Sequence, residues 1–265
     1  MPARSSYTNG KSGKPILPEV HRLKAAGAAF QIILLLAESH TKKGIQCKTI
    51  ICWRRRSIVN AVNVLVSILI GYAAGCVQSA YLIGRIFGNL DIRKYGSGNA
   101  GASNITTIMG TKFGVFVGLI DILKGAFAVL FVGWLYPSDP TLAFLAGIMA
   151  VIGHIFPFYL RFRGGKGVAA LVGVMLGVDW RLGILFVLLV AVPALISDYI
   201  VAGSFTTFVA LPVVALVRGY PIWIILLTLT LTGLCFYLHR GNIRRILAGE
   251  ELKISAVLFK KAKPE

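Results

Sequence analysis

Residues 113–136 read FGVFVGLIDILKGAFAVLFVGWLY, with one acidic and one basic residue among them. A helix needs about 20 apolar residues to cross a hydrocarbon layer about 30 Å thick, so this stretch predicts a membrane span. Asp121 and Lys124 lie three apart within it and share a helical face. Charges in lipid are expensive, and pairing these two as an ion pair closes that cost. Similar stretches continue on both sides: Ile58–Phe87 before it, then Thr141–Leu160, Val168–Val178, Leu182–Ser197, Ser204–Val217 and Pro221–Leu238. Val168–Val178 is short and Leu182–Ser197 contains Pro193, so the count is seven if both cross and five if neither does. The expectation is an all-α polytopic transmembrane helical bundle, with seven spans as the leading count.

Composition agrees with that reading. Of 265 residues, 56% are hydrophobic and 14% charged, and the mean hydropathy is +0.76. This excludes a disordered chain and sets the protein apart from ordinary soluble domains. Lys and Arg number 28 against 10 acidic residues, a net charge of +18. In a membrane protein that excess suits anionic lipid surfaces or anionic substrates. Residues 1–57 hold 11 of the basic residues against two acidic ones, and read as a basic extension, poorly ordered or interfacial, ahead of a membrane domain at 58–265. The extension lacks the aromatic interleaving of a nucleic-acid binder, so no nucleic-acid partner is expected. Cys47, Cys52, Cys76 and Cys235 have no CxxC spacing and imply neither a metal nor a redox site.

Basic residues between the spans cluster at Arg93, Lys94 and Lys112, at Arg161, Arg163 and Lys166, and in the tail from His239, whereas the turn Pro137–Pro140 has none. The positive-inside rule puts the first three regions together on the cytoplasmic side. It also puts the chain before Ile58 outside, against the run Arg54–Arg56.

Each region on that common side carries a pattern suited to anions. Tyr95–Asn104 reads YGSGNAGASN, whose small residues let backbone N–H groups approach an anion and whose hydroxyls and amides add donors. Gly164, Gly165, Lys166 and Gly167 open an apolar helical stretch, where free N–H groups and the helix dipole favour a phosphate. Their spacing is not that of a Walker A loop. His239 and Asn242 share a face if the last span continues as helix. No GxSxG elbow, HExxH, DxD or His-x4-Asp box appears, so any chemistry rests on anion binding and an already activated substrate.

Three segments carry a resemblance: GSGNAGASN at 96–104, GHIFPFYLRFRGGKGVA at Gly153–Ala169, and HRGNIRRILAGE at His239–Glu250, with YLIGR at Tyr81–Arg85 beside them. In this order they resemble the bacterial acyl-phosphate:glycerol-3-phosphate acyltransferases, over about Gly71 to Lys253. The resemblance implies transfer of a fatty acyl group from acyl phosphate to the 1-hydroxyl of sn-glycerol 3-phosphate, giving lysophosphatidate for phospholipid synthesis, with no cofactor or metal. It also implies a multi-pass protein of the bacterial cell membrane, its active site facing the cytoplasm. Carried over residue by residue, Ser97, Lys166, His239 and Asn242 would be catalytic. Gly98, Asn99, Gly101, Asn104, Gly164, Gly165, Gly167 and Ser204 would bind substrate. Thr107 stands where the family usually has an arginine, a departure that would weaken the acceptor's phosphate contact or change the acceptor. The alternatives are a relative acting on another polyol phosphate and an anion transporter. A transporter would carry its polar residues near mid-membrane, often in inverted repeats.

Overall fold

The structure, a computed structural model, describes residues 60–258, so the extension 1–57 lies outside the described residues. Among those described, all regular structure is helical. The main elements are α1 (Ala61–Cys76), α2 (Ser79–Gly88), α3 (Ala102–Met109), α4 (Thr111–Leu135), α5 (Pro140–Ile155), α6 (Val168–Val178), α7 (Trp180–Ser197), α8 (Ile200–Val217), α9 (Ile222–Leu238) and α10 (Arg240–Leu247).

Helix starts follow local chemistry. Asn60 accepts the Val62 N–H at 3.0 Å to cap α1, Asp139 accepts that of Thr141 at 3.1 Å ahead of Pro140, and Asp179 accepts that of Arg181 at 2.9 Å to cap α7. The α7 helix runs unbroken through Pro193, with the Ser197 hydroxyl donating to the Pro193 carbonyl at 2.7 Å. Pro193 therefore does not interrupt this span.

By length and composition, five helical segments can cross a membrane: Ala61–Gly88, Thr111–Leu135, Pro140–Leu160, Trp180–Ser197 and Ile200–Val217. The pair Ile222–Leu238 and Arg240–Leu247, bent by 44°, makes a sixth. Eleven residues make α6 about 16 Å long, well under the hydrocarbon thickness. It nevertheless joins the two ends of the bundle. It starts in the glycine loop, and just beyond its other end Asp179 meets Arg218, which follows α8, at 2.5 Å. At the loop end, the turn between α7 and α8 is tied to the tail. There Asp198 accepts from Ser255 N at 2.8 Å and from the Ser255 hydroxyl at 2.6 Å.

Small residues bring the helices close. In α1, Gly71 and Gly75 lie against the backbone of Ala146 and Ala150 in α5, and a Cβ at either glycine would overlap those carbonyls. This small-xxx-small contact is the packing available to helices that gain nothing from hiding leucine from lipid. Gly125 meets Ala170 and Gly173 meets Ile122 in the same way between α4 and α6. Outward faces remain apolar, with Leu65, Leu69, Leu123, Phe127 and Leu130 exposed. On a protein surface in water that would be an aggregation hazard; against acyl chains it is the required surface.

The first span breaks at Val77–Gln78, between α1 and α2. Carbonyls near the break find donors from elsewhere: the Tyr159 hydroxyl reaches Cys76 O at 2.8 Å and Lys124 Nζ reaches Val77 O at 2.5 Å. Backbone groups inside a bilayer must be satisfied by the protein, and these contacts do so.

Candidate active site

The loop between α2 and α3 is built around Asn104. Its Oδ1 accepts the Ser97 N–H at 2.9 Å, while Nδ2 lies 3.0 Å from the carbonyls of Ile92, Tyr95 and Asn99. With every polar atom of its amide engaged, the buried Asn104 shapes the loop. Gly96 and Gly98 take left-handed φ of 57° and 71°, and a Cβ on Gly96 would overlap Asn104 Oδ1.

The loop between α5 and α6 is pinned on two sides. Gly164 N and Gly165 N donate to the carbonyls of Ile155 and His154, each at 3.0 Å, and Gly164 O accepts from Ala100 N at 3.3 Å, which joins the two loops directly. A second tie comes from Arg93. It is paired with Asp91 at 2.8 Å and donates through Nη1 to Leu160 O at 2.8 Å. The bond from Arg93 holds the Asp91 carboxyl below the usual carboxylate range, and burial raises the pKa against it. Gly167, at φ 85°, turns the chain into α6.

Between these loops lies a cavity of about 270 Å³, lined by Ser97, Gly98 and Asn99 from the first loop, by Arg163, Gly164, Gly165 and Lys166 from the second, and by Leu238 at the end of α9. That is the scale of a small phosphate ester. Lys166 Nζ donates to Asn242 Oδ1 on α10, so the third predicted segment closes on the second. Asn242 Nδ2 in turn donates to Glu251 Oε1 at 2.5 Å, and Arg245 Nε to Glu251 Oε2 at 2.7 Å. Burial pulls the Lys166 ammonium down to about 8, with the Glu251 carboxylate opposing the shift and Arg245 adding to it.

His239, at the bend between α9 and α10, is buried, with Nδ1 2.9 Å from Cys235 O and its ring edge-on to Phe205 at 5.4 Å. A carbonyl only accepts, so Nδ1 carries the proton and Nε2 is the ring's acceptor. Ser204 is buried in α8 with its hydroxyl turned toward the Ile200 carbonyl at 3.4 Å.

Of the residues the sequence singled out, the structure brings Ser97, Gly98, Asn99, Gly164, Gly165 and Lys166 onto one cavity wall, with Asn242 bonded behind Lys166. Gly101, Asn104 and Gly167 are not on that wall. They form the start of α3, the centre of the first loop and the start of α6. His239 and Ser204 are off the wall as well. The ion pair expected of Asp121 and Lys124 is present at 2.8 Å. Glu251, Arg245 and His154 were given no role by the sequence reading, which closed the third segment at Glu250. The available signal was Gly249: its φ of 72° ends α10 with Gly249 N bonded to Ile246 O at 3.1 Å and Glu250 N to Arg245 O at 2.8 Å. That reversal carries Glu251 back to Asn242.

A helical bundle with lipid-facing sides and a cationic, glycine-lined cavity at one end defines an integral membrane protein built to hold a phosphorylated molecule beside the bilayer. The family model described as glycerol-3-phosphate acyltransferase matches residues 65–249. A protein of that name from Thermoanaerobacter sp. (strain X514) is 39% identical over 186 residues, 70% of this chain and 93% of its own length. One from Bradyrhizobium sp. (strain BTAi1 / ATCC BAA-1182) is 39% identical over 193 residues, 72% and 95% of the two chains. Among solved structures, the glycerol 3-phosphate form of PlsY (YgiH), an integral membrane glycerol 3-phosphate acyltransferase, matches with a TM-score of 0.67 and 30% identity, covering 75% of this chain and 99% of that one. The lysophosphatidic acid form matches with a TM-score of 0.64 and 31% identity, covering 74% and 98%. The chain belongs to the glycerol-3-phosphate acyltransferase family and is a membrane acyltransferase.

Proposed function

We propose that this protein transfers a fatty acyl group from acyl phosphate to the 1-hydroxyl of sn-glycerol 3-phosphate, making lysophosphatidate for phospholipid synthesis. The observation that carries the reading is the meeting of Ser97, the Gly164–Gly165 backbone and Lys166 around one small cavity, with Asn242 bonded to that lysine. Relatives in glycerol 3-phosphate and lysophosphatidic acid forms support the acceptor and the product. The donor follows from the likeness of the three loop segments to the acyl-phosphate-dependent enzymes.

In this reading the glycerol hydroxyl oxygen attacks the carbonyl carbon of the mixed anhydride. The new ester C–O bond forms, the bond to phosphate breaks, and the departing phosphate takes the hydroxyl proton. Lys166 and Arg163 hold phosphate charge and Ser97 adds a hydroxyl. His239, buried off the cavity wall, is assigned no step. Thr107 lies on an exposed face of α3, its hydroxyl bonded to Ser103 O at 3.1 Å, and the cavity's cations, Lys166 and Arg163, do not depend on it. This favours the ordinary acceptor over another polyol phosphate. By the positive-inside rule, the basic loops support a reading in which the cavity end faces the cytoplasm of a bacterial cell and α6 makes a thin seventh crossing.

The test is transfer by purified protein in detergent from palmitoyl phosphate to radiolabelled glycerol 3-phosphate, with palmitoyl-coenzyme A, Ser97→Ala and Lys166→Ala as controls. Turnover with acyl phosphate alone, lost in both variants, is the expected result. Absence of turnover in folded, lipid-supplied protein would overturn the reading, and a trapped acyl-serine or acyl-histidine would overturn direct attack.

A further inference from the structure

A buried polar cluster lies next to the cavity, and the chemistry above does not use it. It consists of Ser79 from α2, Asp121 and Lys124 from α4, and His154 from α5, all buried. Lys124 Nζ stands 2.8 Å from Asp121 Oδ1, 2.7 Å from His154 Nδ1 and 2.5 Å from Val77 O, while the Ser79 hydroxyl donates to Asp121 Oδ1 at 2.8 Å. An ammonium has three hydrogens and no lone pair. With Lys124 charged, all three are committed here, so the closer contact makes His154 Nδ1 the acceptor and puts the imidazole proton on Nε2, with Asp121 Oδ1 3.5 Å from Nδ1.

That ring edge lies against the glycine loop. A Cβ built on Gly165 would overlap His154 Nε2, and one built on Gly164 would overlap His154 O. The His154 carbonyl also accepts the Gly165 N–H and, at 3.0 Å, Nε2 of the fully buried Gln78. One residue thus meets the segment 164–165 through its ring, its carbonyl and the shape of its backbone. Lys124, bonded to both His154 and Val77 O, ties that contact to the break in the first span.

We propose that His154, held by Lys124 and Asp121, is a positioning residue for the phosphate-binding segment Gly164–Gly165–Lys166. Glycines leave this segment free to take many conformations, and the histidine removes that freedom before the anion arrives. A buried ion pair is weak evidence for stability taken alone, because desolvation offsets most of its attraction. Here the pair fixes the tautomer and orientation of a ring packed on the loop. The inference rests on the reading of this cavity as the glycerol 3-phosphate site.

The test uses the full chain in detergent, with KM measured for glycerol 3-phosphate and for palmitoyl phosphate in the parent, His154→Leu and His154→Asn. The leucine variant is expected to raise the glycerol 3-phosphate KM about tenfold, with kcat and the palmitoyl phosphate KM within about twofold. Asparagine, whose side-chain carbonyl can replace Nδ1 as the acceptor for Lys124, is expected to recover most of the loss. An unchanged KM in the leucine variant overturns the proposal. So does a fall in kcat with both KM values raised and no recovery in asparagine, which would mark a purely structural cluster. If the leucine variant does not fold, nitrogen-15 spectra of histidine-labelled parent protein decide: the Nε2–H tautomer is expected at His154, and Nδ1–H or a doubly protonated ring overturns the proposal. A parent protein that transfers nothing counts against the functional reading. An active parent whose leucine variant keeps its KM counts against the positioning role alone.

Discussion

At Lys166 a single charge sets how the site responds to pH. Its ammonium is held at about 8 by burial, so it is cationic below that value and neutral above it. The pKa is depressed for a cation, which places the loss of phosphate affinity on the alkaline side. KM for glycerol 3-phosphate is therefore expected to rise above pH 8, approaching about tenfold per unit, while kcat responds less because bound phosphate restores the charged form. Initial rates between pH 6 and 10 check this. The Glu251 carboxylate raises the Lys166 value, so Glu251→Gln is expected to move the same rise toward lower pH. An unmoved profile would show that Glu251 acts only by holding Asn242. Lys166 was legible in the sequence because glycines beside a lysine at a helix start have a local meaning. Glu251 was not, since its role depends on a chain reversal at Gly249 that brings the tail back onto α10.

Elements show a similar division between local and distant causes. Spans 111–135 and 140–160 could be read from composition, and their boundaries moved by a residue or two. The start of α8 lay four residues before its expected position, at Ile200, because Gly203 reads locally as a loop residue whereas in the fold it lets the first turn of α8 pack against the Val190 backbone of α7. No glycine or proline marks the break at Val77–Gln78; it is held by Tyr159 and Lys124, both far along the chain. The contact of α1 with α5 gives a test at this scale. Gly75→Val would drive two methyl groups into the Ala150 backbone, and overpacking of this kind costs about 1–3 kcal/mol or more. A lower thermal midpoint in detergent is expected, with Ser138→Cys, in an exposed turn at the opposite end from the cavity, as an unaffected control. At the site, Gly164→Ala meets the His154 carbonyl as closely as Gly75→Val meets that of Ala150, and is expected to raise the glycerol 3-phosphate KM and lower the thermal midpoint together.

Across the whole molecule, the region matching the family, 65–249, falls inside the described residues and excludes residues 1–57. A chain beginning at Ser57 is accordingly expected to keep its transferase activity in the assay above. Orientation can be checked in intact cells. On the proposed topology, a cysteine at Ser138 reacts with a membrane-impermeant thiol reagent added outside, and one at Lys94 reacts only after permeabilisation. Both positions are exposed, so accessibility to solvent is not the variable.

The three anion-suited segments sit at one end of the bundle, and the cavity is lined by the first two of them together with the last residue of α5, Ile155, and the tip of α9. Reactants and product therefore share a single membrane surface. On the proposed reaction, each turnover adds a wedge-shaped, single-chain lipid to one monolayer and none to the other. Left uncorrected, such one-sided growth would curve the membrane, so the area of the opposing monolayer has to come from lipid carried across by other proteins. The placement of a few glycines and a lysine thus ties the rate of this enzyme to the mechanical balance of the membrane that holds it.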